Sequence, residues 1–171
     1  YNWTVTGGTI QHGTGTDSIT VQWHSSGTGT VKLKETNASG CDTTVVKDIH
    51  IDPKPGPAIS GKDSVCEFSG GHGYSTAAKS GHTYNWTVNG GTITSGSGTD
   101  SITVKWHGSG SGTVKVKTTN ASGCDTTVSQ NIHIDPKPAP AITGKDTLCT
   151  NATTAYTTGG TTGSSYNWTI S

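Results

Sequence analysis

The sequence predicts an all-β chain of tandem antiparallel β-sandwich repeats, each about 83 residues long. Three observations carry that expectation. The chain repeats itself at a fixed offset, and apolar and polar residues alternate in short runs. The composition also favours strands and turns. Among 171 residues there are 25 Gly, no Met and one Phe, only 13% are charged, and Thr and Ser fill much of the rest. The branched Cβ of Thr suits a pleated surface. Gly at this level, without a collagen period, marks many tight turns. The Leu, Ala, Glu and Lys content that builds helices is missing.

The repeat is read directly from the letters. Tyr1-Asn2-Trp3-Thr4-Val5 returns as Tyr84-Asn85-Trp86-Thr87-Val88, Cys41 as Cys124, and Cys66 as Cys149. Each offset is 83, and residues 1–52 and 84–135 are identical at 40 of 52 positions. A third copy of the motif starts at Tyr166-Asn167-Trp168, one residue short of that offset.

Strands follow from the alternation. Ile102, Val104 and Trp106 point one way, with Ser101, Thr103 and Lys105 opposite. Thr113 to Lys117 alternates in the same manner, and Tyr84, Trp86 and Val88 share a face. Period two with one apolar face marks a half-buried strand. Gly90-Gly91, Gly96 to Gly98, Gly108 to Gly112 and Asn120 to Gly123 are expected to be turns. About seven short strands at this spacing make a sandwich.

Pro-rich segments set the expected boundaries. Asp52-Pro53-Lys54-Pro55-Gly56-Pro57 and its twin Asp135 to Pro140 are stiff and cannot donate to a sheet ladder. We therefore expect 1–52 to be the C-terminal part of a preceding repeat, 53–57 a linker and 56–135 one complete repeat. Residues 136–140 are then a second linker, and 139–171 the N-terminal part of the next repeat. Tyr1 opens inside a strand pattern, so the chain is expected to be cut from a longer one.

A repeat this small, with 28% hydrophobic residues, has little core and benefits from a covalent staple. None of the four Cys lies in a C-x-x-C pair, which favours disulfides in an oxidising compartment over zinc or redox chemistry. The favoured pairing is Cys66 with Cys124 inside the complete repeat. Cys41 and Cys149 would then pair outside these residues. Closing that loop would contribute about 4 kcal/mol in the chain-entropy description. The competing pairing joins Cys41 to Cys66 across the Pro linker.

Taken in order, Tyr-x-Trp-Thr-Val-x-Gly-Gly-Thr-Ile, Gly-Thr-Asp-Ser-Ile-Thr-Val-x-Trp and Gly-Thr-Val-x-Val-x-x-x-Asn-x-x-Gly-Cys resemble the PKD-like (Ig-like) repeat of Bacteroidota surface proteins. The preceding Ile-x-Gly-Lys-Asp-x-x-Cys fits that repeat's opening. The resemblance covers essentially the whole chain. It implies an Ig-like or PKD-like sandwich in a large secreted protein. Adhesins similar to those of gliding flavobacteria, exported by the type IX route, are built this way. The Trp-x-Phe-Gly-Asp-Gly motif of typical PKD domains is absent, so nothing tied to it carries over.

The same resemblance bears on modification. Asp followed by Ser or Thr and then a mostly apolar residue is similar to the Bacteroidota O-glycosylation signal. Ser18, Thr43, Ser64, Ser101, Thr126 and Thr147 fit it. Ordinary turn chemistry competes with this reading, because Asp and Ser bond nearby backbone. Asn2, Asn37, Asn85, Asn120, Asn151 and Asn167 head Asn-x-Ser/Thr sequons, which chance explains in so Thr-rich a chain.

Other chemistry is weakly supported. Tyr84, Trp86 and Trp106 lie on apolar strand faces and are expected in the core, with a carbohydrate-stacking platform as the alternative. His24, His50, His107 and His133 are expected to be solvated, with no local carboxylate cluster for a metal. Gly96-Ser97-Gly98-Thr99 lacks the helix and the Gly-Lys-Ser/Thr of a phosphate loop. No catalytic residues and no cofactor are expected. Zero net charge offers no basic stripe to nucleic acid, and no apolar run could span a bilayer.

The expected role is therefore the structural shaft of a long extracellular fibre at a bacterial cell surface, not an enzyme. The alternative is adhesive repeats that bind glycans or surfaces themselves. Expected partners are neighbouring repeats of the same chain. Identical chains in a filament and a surface or glycan ligand are further candidates.

Overall fold

A computed structural model describes residues 1–170, and every described element is a strand. The complete repeat holds seven: β6 (Ser64–Cys66), β7 (His72–Ser75), β8 (Thr83–Asn89), β9 (Gly91–Ser95), β10 (Ser101–Trp106), β11 (Gly110–Thr119) and β12 (Asp125–Asp135). Before it lie β1 (Asn2–Thr6), β2 (Gly8–His12), β3 (Thr20–Trp23), β4 (Gly27–Thr36) and β5 (Asp42–Ile51). After it come two short strands, β13 (Ile142–Thr143) and β14 (Thr157–Thr158).

The complete repeat is a two-layer sandwich, as the alternation predicts. One sheet has the order β6-β12-β11-β8, and the other β7-β10-β9. All pairs are antiparallel except one. β6 runs parallel to β12, with Ser64, Val65 and Cys66 beside His133, Ile134 and Asp135. The first strand of the repeat thus lies along the last. Between the layers sit Val65, Tyr74, Trp86, Ile102, Val104, Trp106, Val114, Val116, Ile132 and Ile134. All ten come from the complete repeat, so its interior is its own.

Trp106 is the centre of that interior. It is fully buried, and its ring meets Tyr74 edge-on, with centroids 6.0 Å apart and planes at 84°. The ring lies against the backbone of β11 at Gly112, where any Cβ would overlap it. This corrects the expectation that Gly108 to Gly112 is all turn. β11 already starts at Gly110, and Gly112 is a strand residue that is small because Trp106 needs the space. Gly29 faces Trp23 in the same way in the preceding copy.

The expected disulfide is also corrected. All four cysteines are free thiols. Cys66 lies beside Asp135 at the C-terminal end of β12, whereas Cys124 immediately precedes its N-terminal end. Eleven strand residues separate those ends, which is about 35 Å at roughly 3.3 Å per residue. A disulfide needs Cα atoms within about 7 Å. The competing Cys41–Cys66 bond is not formed either.

The flanking pieces reproduce matching parts of the complete repeat. β1-β4-β5 and β2-β3 repeat the pairings of β8-β11-β12 and β9-β10. Residues 139–170 repeat the opening segment. Thr143 pairs with Thr157 as Ser60 pairs with Ser75. The Tyr156 hydroxyl donates to the Lys145 carbonyl, as the Tyr74 hydroxyl does to Lys62.

The Trp106 packing gives a direct check. Gly112→Ala drives a methyl into the ring and should destabilise the repeat by about 1–3 kcal/mol, read from the midpoint of a denaturant titration. An unchanged midpoint would contradict the described packing.

Candidate functional site: the junction between repeats

The most elaborate polar arrangement lies where one repeat meets the next. It is built by Asn120-Ala121-Ser122-Gly123-Cys124, the turn between β11 and β12. The Asn120 side-chain carbonyl accepts the backbone N–H groups of Ser122 at 3.1 Å and Cys124 at 2.9 Å. Asn is suited to this because its short amide reaches backbone two residues on. Gly123 takes φ +81°, a region open to Gly at no steric cost. Asn37 to Cys41 form the same turn, with corresponding bonds of 3.0 Å.

In the complete repeat this turn grips the end of the preceding one. The Asn120 side-chain amide donates to the Pro53 carbonyl at 3.1 Å. The Ser122 hydroxyl donates to the Asp52 carboxylate. The Cys124 Sγ lies 3.9 Å from the Asp52 carbonyl oxygen. Pro55 is buried nearby. The polar groups of the turn are spent on the incoming chain, so it acts as a socket for that chain.

The outgoing linker is tied as well. Glu67 accepts the backbone N–H of Lys137 at 3.1 Å and that of Ser109 at 2.9 Å. The Glu67 N–H in turn donates to the Asp135 carbonyl at 2.8 Å, and the Ser64 hydroxyl to the Asp135 carboxylate at 2.8 Å. The junction bonds hold the Asp52 and Glu67 carboxyls below their ordinary range. For Asp52 the Ser122 hydroxyl is the main cause, followed by His50 against partial desolvation. For Glu67 it is the Lys137 N–H, with Ser109 adding to it.

The other candidate residues are scattered. Ser18, Thr43, Ser64, Ser101 and Thr147 are exposed, and Thr126 is half-buried. Asn120 is committed to the socket through both ends of its amide. Trp86 is buried, with its indole N–H on the Thr99 carbonyl. Tyr84 is half-buried, its hydroxyl accepting the Lys79 N–H and donating to the Ala77 carbonyl. His24 and His107 bond Thr9 and Thr92, while His50 and His133 lie 3.1 Å from Asp52 and Asp135. Among the described residues no His, Cys, Asp and Glu converge as a metal site.

In the sequence, Asn120 to Gly123 reads only as a turn and a sequon. A usable signal was present. Thr-Asn-Ala-Ser-Gly-Cys-Asp-Thr-Thr-Val is unchanged between copies, while residues on either side of it differ.

The depressed carboxyls fix a sign. A carboxyl lowered in the folded state contributes stability above its unfolded value, and that contribution is lost as pH falls through the folded value. Both linker contacts should hold at neutral pH and loosen under acid. The amide resonances of Ser109 and Lys137 should titrate with a midpoint below the ordinary Glu value of about 4.3. A midpoint at or above it would overturn the assignment.

Comparison with known proteins agrees with this architecture. No curated protein matches the chain. The PKD-like domain matches twice in tandem, over residues 1–51 and again over 52–134. Such domains are typically extracellular, generally non-catalytic modules with structural or adhesive roles. The chain belongs to the PKD-like domain family.

Proposed function

We propose that the chain is a length of the shaft of a long extracellular fibre. Its unit is the repeat of about residues 56–135, joined to its neighbours by the linkers 53–57 and 136–140. The observation that carries this reading is the socket. Both Asn-Ala-Ser-Gly-Cys segments build the same turn, and the one facing a preceding repeat holds that repeat's Asp-Pro end. A motif kept for joining copies end to end suits a unit whose task is to be one of many.

The adhesive reading requires an exposed aromatic or polar cluster present in every copy. In the complete repeat Trp86 and Trp106 are buried, and Tyr84 has its hydroxyl occupied. Phe68 is exposed, but Asn151 replaces it in the following copy. This favours the shaft, with any adhesive tip residing elsewhere. The resemblance to Bacteroidota repeats supports a cell-surface location and type IX export. It also supports O-glycans on Ser18, Thr43, Ser64, Ser101, Thr126 and Thr147, where they would shield sheet edges.

Two measurements test the reading. On a glycan array and on abiotic surfaces the chain should bind no better than an unrelated β-sandwich. Saturable binding lost in Trp106-preserving surface variants would favour adhesion instead. Protein from its natural source should exceed the bare polypeptide mass; equality would remove the glycans.

A further inference from the structure

We propose that consecutive repeats are joined by a disulfide, from the first cysteine of one repeat to the second cysteine of the following repeat. The inference rests on superposing the two ends of a repeat, and not on the shaft reading. At the incoming end, Cys124 Sγ lies 3.9 Å from the Asp52 carbonyl, the last residue of the preceding repeat. At the outgoing end, Cys66 lies beside Asp135, the residue equivalent to Asp52. Both cysteines therefore converge on the same residue of the repeat. Adjacent strands are about 4.8 Å apart, so the two sulfurs share a region within disulfide reach. Cys66 is exposed on the outer face of its sheet, alongside Ser64.

Within 171 residues no such pair is complete, which agrees with four free thiols. Two copies of the chain complete it. Residues 139–170 correspond to the opening of a repeat and residues 1–52 to its remainder. Beside β5 lies a groove of about 580 Å³, bordered by Trp23, Ile49, Ile51 and Asp52. In the complete repeat that place is filled by β6 and its turn. There Ser69 accepts the Trp106 N–H, Phe68 donates to the His107 carbonyl, and Val65 lies beside Ile134.

The matching segment, Thr147 to Ala152, is already shaped for the groove. Asn151 takes φ +62° where Phe68 takes +53°, and Ala152 donates to Cys149 as Ser69 does to Cys66. Its apolar residues stand open: Leu148 is 42% exposed against 5% for Val65, and Tyr156 47% against 1% for Tyr74. Seating residues 139–170 of one copy on residues 1–52 of another brings Cys149 to Cys124 and Cys66 to Cys41.

Each bond forms by thiol–disulfide exchange with a glutathione-type disulfide as oxidant. One cysteine thiolate attacks it, releasing one reduced glutathione. The second thiolate displaces the other, so two thiols are oxidised and one disulfide is reduced. The 171-residue chain is incubated with oxidised glutathione, and non-reducing electrophoresis is followed by peptide mapping. The expected result is a ladder of multimers linked through Cys149–Cys124 and Cys66–Cys41. Replacing Cys41 and Cys124 by Ser together should abolish the ladder without changing the circular dichroism. A monomer carrying Cys66–Cys124, or multimers with all four thiols still open to alkylation, would overturn the proposal.

If no multimer forms, a second polypeptide decides. Residues 56–83 are placed again ahead of Tyr1, and Cys41, Cys149 and the Cys66 of the complete repeat are changed to Ser. The added cysteine should close on Cys124 within one chain. Two alkylatable thiols in that folded protein would sink the disulfide.

Discussion

The parallel pairing of the first strand of a repeat with its last governs the arrangement of everything else. β12 is the spine of the unit. Its inward residues Ile132 and Ile134 close the core, and its edge receives β6. Because β6 and β12 run the same way, the incoming chain is gripped at one end of the repeat and the outgoing chain leaves from the other. An antiparallel closure would have returned both linkers to one end. The direction of one short edge strand thus sets up a head-to-tail series.

The second constraint is thickness. Two layers must face each other before the alternating apolar faces are removed from water. In the complete repeat they do, and ten apolar side chains are buried. In the flanking pieces the same residue types remain partly open, as Trp168 shows at 53% exposed against 6% for Trp86. The difference lies in what covers them and not in the residues themselves. The alternating faces are thus removed from water where both layers face each other.

Much of this was legible beforehand. The copy offset, the alternation through Ile102, Val104 and Trp106, and the strand-breaking prolines depend on local chemistry, and local chemistry is written in adjacent residues. What was not legible depends on direction and distance. Nothing in the spacing of Cys66 and Cys124 tells which end of β12 each would reach, so the bond favoured because both lie in one repeat would have to span the length of a strand. Gly112 looked like turn material because a sequence shows that Cβ is missing but not that an indole occupies its place. The Asn120 socket was hidden because its partner, Asp52-Pro53, belongs to another copy.

The pairing of β6 with β12 has a mechanical consequence. Tension on a series of such units is applied ahead of β6 and behind β12. In a parallel pair those two points lie at opposite ends, so opposed forces slide one strand along the other. The hydrogen bonds between Ser64–Cys66 and His133–Asp135 are then loaded in shear and must rupture together. Peeling them one at a time would need both forces at the same end. The hydrogen-bonded patch is short, and its direction makes each unit resist extension as a block.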